Sequence, residues 1–346
     1  MRREPPCVVW DERLLDYDFG PGHPFQMRYR GEAARALGGG TTPPIGPAPD
    51  PILTRFHESK YVDFVRGMAA RPGRGPLDRG DTPSFPGCDQ AAARVVAATQ
   101  TGLDGILSGA CERAFVPSGG LHHAHPDRAS GFCIFNDVAV AIRSALRPVG
   151  PYDRVAYVDI DAHHGDGVMY GFFGDGRVLD LDFHQDGRTL FPGTGSTGET
   201  GSGDGAGRKV NFPLPPGAGD GSLVPLFDRV AAPLLREFRP QLVVLQDGVD
   251  GHAADPLAAL EYTDAAFAAV LGRVLAVVDE VGAAGVLVTG GGGYDREAVV
   301  RVLTQVGRIL GSETSPAVPE FSEEPWVDTT VRELERDLGR RFPGPG

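Results

Sequence analysis

Short apolar runs that end in polar, glycine-rich loops recur along the chain. Val155–Ile160, Val178–Phe183, Leu242–Gln246 and Gly285–Thr289 read as buried strands. Helical patterns lie around and between them. Ala91–Leu107 is Ala-rich and periodic, and Asp137–Leu146 follows a candidate cap at Asn136. Ser222–Phe238 is helical in pattern if Pro225 sits in its first turn. Asp264–Val281 follows Thr263, and Glu297–Leu310 follows Asp295, both good N-cap residue types. Strands alternating with helices predict an α/β fold with a mainly parallel central sheet flanked by helices. Two stretches, 38–50 and 193–207, have loop composition and read as surface loops, not linkers. No internal repeat is visible. After Ser312 the chain is Pro-rich and then charged, and Val327–Arg341 has the pattern of an amphipathic terminal helix. The expected organisation is one domain over 1–346, with 318–346 as a terminal extension.

Composition narrows the function classes. The 346 residues carry 33 Lys+Arg against 46 Asp+Glu, a net charge of −13. An acidic chain without a basic tract argues against a nucleic-acid partner. No run approaches the roughly 18 apolar residues of a membrane span. The first ten residues lack the apolar core of a signal peptide. The four cysteines, Cys7, Cys88, Cys111 and Cys133, form no CxxC pair. A disulfide framework is therefore not expected, and reduced thiols in a cytoplasmic protein are.

The chemistry concentrates in Tyr157-Val-Asp-Ile-Asp-Ala-His-His-Gly-Asp-Gly167. Alternate residues of an extended chain share a face, so Asp161 and His163 can converge just past a strand's C-terminal end. Both are zinc-ligand types. A third ligand must come from elsewhere, and Asp250 also follows a buried strand. Three protein ligands leave a position open for water. A lone Asp-x-His is more often a strand-end cap beside a surface histidine, but this one has company. The chain has nine histidines, and three lie in Leu121-His-His-Ala-His125. Adjacent imidazoles at His122 and His123 suit proton transfer near neutral pH. Asp159 and Asp166 could each hold the far nitrogen of one imidazole. Thr289-Gly-Gly-Gly-Gly-Tyr294 follows another strand. It reads as a turn, a phosphate cradle, or a loop that brings a Tyr hydroxyl to a polarised carbonyl. No GK[ST] follows to support the phosphate reading.

In these motifs and their order, the chain resembles the zinc-dependent histone deacetylase superfamily, within the arginase–deacetylase fold. The likeness runs from about Asp11 to Val327. It includes Pro21-Gly-His-Pro24, Gly80-Asp-Thr-Pro83, Pro117–Pro126, Gly131-Phe-Cys133, Val158–Gly167, Phe191-Pro-Gly-Thr-Gly195, the Asp250 segment and Gly290–Tyr294. Leu15–Pro24 and Phe183–Gly195 look most like bacterial acetoin-utilisation deacetylases. The resemblance implies an active site in loops at strand C-terminal ends. It makes Asp161, His163 and Asp250 the ligands of zinc, with iron(II) as the alternative metal. It makes His122 and His123 the proton-handling pair, backed by Asp159 and Asp166, and Tyr294 the carbonyl polariser. Gly131, Phe132, Phe191 and Leu257 would contact the acyl-lysine, and Asp81 would grip its backbone. A potassium ion would be held by Asp159, Asp161, His163, Asp182 and Phe183, several through carbonyls. Relatives often carry Ser where Asp182 stands. The implied reaction is hydrolysis of N-acetyl-lysine on a protein or peptide, with no nucleic-acid or membrane partner. A small-molecule acetylpolyamine amidohydrolase, an arginase-like two-metal hydrolase and a non-catalytic acyl-lysine-binding protein are the competing readings.

Overall fold

Seven strands build one sheet in the computed structural model, which describes residues 6–39, 44–71, 75–78, 80–312 and 320–344. They are β1 (Cys7–Val8), β2 (Arg113–Val116), β3 (Val155–Asp159), β4 (Val178–Gln185), β5 (Lys209–Leu214), β6 (Leu242–Gln246) and β7 (Val286–Thr289). Their order across the sheet is β1-β2-β7-β6-β3-β4-β5, and neighbours pair in parallel. From β3 the chain steps outward to β4 and β5, returns to β6 on the other side of β3, and steps outward again to β7. The β3/β6 boundary is therefore the point where the winding reverses. In open α/β sheets a crevice forms there, at the strands' C-terminal ends.

Both faces of the sheet are covered, which is why the strands read as continuous apolar runs. Ala156, Val158, Val243 and Leu245 join one core, and Val155, Tyr157, Leu242 and Val244 the other. The first core is closed by α7 (Asp220–Leu226), α8 (Ala232–Phe238), α9 (Asp264–Val281), α10 (Arg296–Leu310) and α11 (Val327–Leu338). The second is closed by α1 (Met27–Ala36), α2 (Asp50–Leu53), α3 (Ser59–Ala69), α4 (Cys88–Leu107), α5 (Asp137–Ala145) and α6 (Asp166–Gly171). The expected caps form: Asn136, Thr263 and Asp295 accept the backbone N–H groups of Ala139, Ala265 and Ala298. Among the described residues, no helix is long and apolar enough to cross a membrane.

Three expectations need correction. The 222–238 helix begins at Asp220, so Pro225 falls inside it and not in its first turn. Pro225 has no N–H for the bond to the preceding turn, and Phe227–Ala231 winds as a π-helical segment before α8. The terminal helix stops at Leu338, where Gly339 takes a left-handed cap (φ 64°). The cysteines are not all reduced: Cys7 and Cys111 form a disulfide, while Cys88 and Cys133 are free and buried. The bonded pair is 104 residues apart. Pairing of β1 with β2 brings the two together, which no local spacing could signal. The loops expected at 38–50 and in the Pro-rich tail lie partly outside the described residues.

His57 links the helical layer to the loops above the sheet. Its Nδ1 donates to the His125 carbonyl (3.0 Å), and its Nε2 accepts the Asn136 N–H (2.9 Å). Burial pushes its pKa down to about 4, so it is neutral in the fold. In the unfolded chain it titrates near 6.5. Its contribution to stability is therefore complete above that value and is lost as pH falls toward 4. The expected loss between pH 7 and pH 5 is about 2 kcal/mol. Denaturant unfolding of wild type and His57→Gln at both pH values should show the wild type losing more, by about that amount. Equal pH dependence would mean that His57 is not held neutral.

Candidate active site

The crevice at the β3/β6 boundary holds the acidic and histidine side chains singled out above. Beyond β3 the chain curls on its own carboxylates. Asp159 Oδ1 accepts the Asp161 N–H (3.0 Å), and Asp161 Oδ1 accepts the His163 N–H (3.0 Å). From beyond β6, Asp250 Oδ1 accepts the Ala162 N–H (2.7 Å). These bonds bring Asp161, His163 and Asp250 together. All three are buried, and one donor atom from each lies within 4.8 Å of the others. His163 Nδ1 is 2.9 Å from Asp250 Oδ2 and 3.2 Å from Asp161 Oδ1. Burial disfavours a charge on His163, yet the Asp250 and Asp161 carboxylates outweigh it and raise its pKa to about 10. Two buried carboxylates and an imidazole thus draw positive charge to one point. A divalent cation fits that donor set.

The His122-His123 pair faces the same point. The two Nε2 atoms are 3.1 Å apart, and His122 Nε2 is 3.9 Å from Asp161 Oδ1. Their Nδ1 atoms point away, to Asp159 Oδ2 (2.8 Å) and Asp166 Oδ1 (2.7 Å). The two imidazoles are not equivalent. Burial opposes charge on both, but Asp159 and Asp161 raise His122 to about 10. Burial and the neighbouring His122 charge lower His123 to about 4, against the pull of Asp166. His122 is the charged member and His123 the neutral one.

The walls are equally defined. Gly131, Phe132, Tyr294, the histidine pair, Asp161 and His163 line a cavity of about 20 Å³, room for about one water. Gly131 has φ 51°, and a side chain there would strike the rings of His123 and Phe191. The Tyr294 ring stands edge-on to Phe132 and His163, with centroids 6.1 and 6.5 Å away. Phe191, 40% exposed, stands edge-on to His123 at 5.2 Å. Leu257 is also 40% exposed, and its N–H donates to Asp255. Asp81 is exposed on a loop that folds around Asp78.

The residues expected to hold a monovalent cation are buried beside this centre. A side chain at Gly165 would meet carboxylate oxygens of both Asp159 and Asp182. Asp182 already accepts the Gly165 N–H (2.7 Å) and a bond from His184 Nδ1 (2.7 Å). The Phe183 ring stacks on Phe212, so only its backbone is free to face an ion.

Several residues escaped the sequence reading. Gln246 Nε2 donates to Asp161 Oδ2 (3.0 Å), and Gly292 N–H donates to the same oxygen (2.7 Å). Gln246 had a signal, being a polar residue at the end of an apolar strand. Arg30 is buried and donates to the carbonyls of Gly291 (2.5 Å) and Gly293 (3.2 Å). Asp137 accepts the N–H groups of Gly120 and Leu121 beneath the histidine pair. Asp255 accepts the Tyr294 N–H (2.8 Å). These last three act across long sequence separations and leave no local pattern.

Comparison with known proteins agrees with this geometry. Residues 32–310 match the histone deacetylase domain. The chain belongs to the histone deacetylase family. It is 37% identical over 256 residues to the acetoin utilization protein AcuC of Bacillus subtilis (strain 168), covering 72% of this chain and 65% of that protein, just under two thirds of its length. The AcuC protein of Staphylococcus xylosus is 34% identical over 330 residues, covering 90% of this chain and 84% of that one. The crystal structure of the HDA15 HD domain superposes with a TM-score of 0.81 at 26% identity, covering 96% of this chain and 95% of that one.

The donor set leads to a direct expectation. Purified protein should contain about one tightly held divalent ion per chain. Asp161→Ala or His163→Ala should lose it while keeping the wild-type circular dichroism spectrum. Elemental analysis reads the first, and full activity in metal-free wild type would refute the assignment.

Proposed function

We propose that this histone deacetylase-family hydrolase removes the acyl group, acetyl first, from N-ε-acyl-lysine on a protein or peptide. The products are lysine and acetate. The observation that carries this reading is the convergence of three elements on one water-sized cavity: Asp161 and His163 of the cluster they form with Asp250, the oriented imidazole pair and Tyr294. The metal is zinc, with iron(II) as the alternative, since first-row ions differ mainly in availability and geometry. Potassium is assigned to the Asp159/Asp182 region, where two buried carboxylates adjoin. The divalent ion, when bound, supplies Lewis acidity toward the amide oxygen and acidifies the attacking water.

The chain's own residues do the rest. Asp166 fixes His123 with its Nε2 toward the cavity. Being neutral, that nitrogen can take the water's proton. His122 keeps its proton against Asp159 and supplies positive charge beside developing negative charge. His123 then returns a proton to the departing amine nitrogen. Burial keeps the Tyr294 phenol protonated, with its pKa well above the ordinary value, so its hydroxyl can donate to the carbonyl oxygen as it gains charge. Phe132 and Phe191 flank the aliphatic stem, and Asp81 at the rim offers acceptors to the substrate backbone.

A panel of acyl-lysine peptides and acetylpolyamines, assayed with metal-loaded protein, tests this reading. His123→Ala should lower turnover by roughly 10²–10⁴-fold, with His122→Ala losing less. Wild-type turnover in both variants would leave the imidazoles structural.

Asp81 separates protein substrates from small ones. Charge-assisted bonds to the backbone N–H groups flanking an acyl-lysine are available only in a peptide. Asp81→Ala should therefore weaken hydrolysis of acetyl-lysine peptides much more than that of an analogue lacking flanking peptide bonds, at fixed salt. Equal losses, or acetylspermidine turning over faster than any peptide, would assign the site to small amides.

A further inference from the structure

The Tyr294 hydroxyl can act only if its backbone is fixed, and the segment before it has no side chains to fix it. Gly290–Gly293 precede it, with Gly291 and Gly293 at φ 157° and 122°. Such a segment is held from outside or not at all. Arg30 takes the carbonyls of Gly291 and Gly293, and Asp161 takes the Gly292 N–H. The N–H of Tyr294 itself goes to Asp255 Oδ2 at 2.8 Å. The other oxygen of the same carboxylate accepts the Leu257 N–H at 2.9 Å. One side chain thus ties the tyrosine's backbone to the loop that carries an exposed Leu257.

That loop is itself anchored. The Asp255 N–H donates to the His252 carbonyl (2.8 Å). His252 Nε2 meets Asp264 Oδ1 at 3.1 Å, and Arg301 of α10 pairs with Asp264. The bracing therefore runs from α9 and α10 through Asp255 to Tyr294.

We propose that Asp255 is a positioning residue for deacylation, setting the Tyr294 hydroxyl at the carbonyl oxygen and linking its placement to the Leu257 loop. The inference rests on the deacylation reading above. A carboxylate serves this purpose because it presents two acceptors in a fixed fork. Asn keeps the shape but offers one acceptor and turns an N–H₂ toward the other donor.

The test is a double-mutant cycle with Asp255→Asn and Tyr294→Phe on the metal-loaded enzyme, using acetyl-lysine and trifluoroacetyl-lysine peptides. The activated carbonyl of the second needs less polarisation and keeps slow variants measurable. With wild-type Tyr294, Asp255→Asn should lower kcat on the acetyl peptide about 10-fold, since small misplacements of a reacting group are costly. KM should change by less than about 3-fold. The loss should shrink to about 2-fold or less in the Tyr294→Phe background, because the hydroxyl being positioned is gone. It should also be smaller on the trifluoroacetyl peptide. Equal losses in both backgrounds, or on both peptides, would overturn the proposal and leave Asp255 as a general loop brace. No loss at all would overturn it too. Metal content and thermal unfolding report whether the variant folds, and Asp255→Ser, which keeps one acceptor, replaces it in the cycle if it does not. Failure of wild type on every acyl-lysine peptide would instead refute the deacylation reading.

Discussion

Two carboxylates buried side by side, Asp161 and Asp250, impose the constraint that organises this molecule. Each is fully enclosed, and they come from opposite sides of the β3/β6 boundary. Buried charge of one sign is tolerated only with compensation close at hand. The surroundings are arranged accordingly. Backbone N–H groups of Ala162, His163 and Gly292 and the Gln246 amide all point at these oxygens. His163 lies between them, and His122 is within reach of Asp161. Even Gly292 follows from this demand, because a side chain at that position would collide with the Asp250 carboxylate.

The same electrostatic demand separates the two imidazoles. They are adjacent in sequence and close in space, and each has a carboxylate behind it. Their difference comes from what else they see. His122 feels Asp161 and Asp182 in addition to Asp159, and holds a proton. His123 feels the charge on His122 and is buried with Asp166 as its counterweight, so it stays neutral. A matched pair in sequence becomes one charged and one neutral imidazole through its neighbours alone. Acid and base roles generally divide in this way when environments push two groups apart.

Much of this was legible in the sequence because the relevant information is local. Buried parallel strands appear as uninterrupted apolar runs, and β3, β4, β6 and β7 were visible for that reason. Ligand spacing on an extended chain placed Asp161 with His163, and caps with side-chain oxygens marked the starts of α5, α9 and α10. What stayed hidden depends on pairing. β1 has two residues and no pattern of its own, and its partner β2 has four. β5 carries Lys209 and Asn211 on a buried face, which masks its strand character. The Cys7–Cys111 bond depends on β1 lying beside β2. Arg30 contacts carbonyls 261 and 263 residues away, and Asp255 reaches across 39. The chemistry was readable where one segment holds it, and the supports were not where two distant segments meet.

The wall of the cavity shows how such supports carry strain. Phe132 is a non-glycine residue at φ 66°, a left-handed conformation that a bulky side chain adopts at a cost of order 1–3 kcal/mol. It persists because both of its backbone polar groups are held. Its carbonyl accepts the Tyr17 hydroxyl at 2.6 Å, and its N–H donates to Thr82 Oγ1 at 3.1 Å. Tyr17 also takes the Ile134 N–H, so one buried phenol clamps both sides of Cys133. Thr82 in turn donates to Asp78 Oδ2 at 2.6 Å, and Asp78 Oδ1 gathers the N–H groups of Gly80, Asp81 and Thr82. The turn that presents Asp81 at the surface and the backbone that aims Phe132 into the cavity therefore share one anchor. Loosening Thr82 would release the strained wall and the Asp81 turn together. One hydrogen-bonded chain thus joins the cavity wall at Phe132 to the surface turn at Asp81, and it holds the phenylalanine's unfavourable backbone in place.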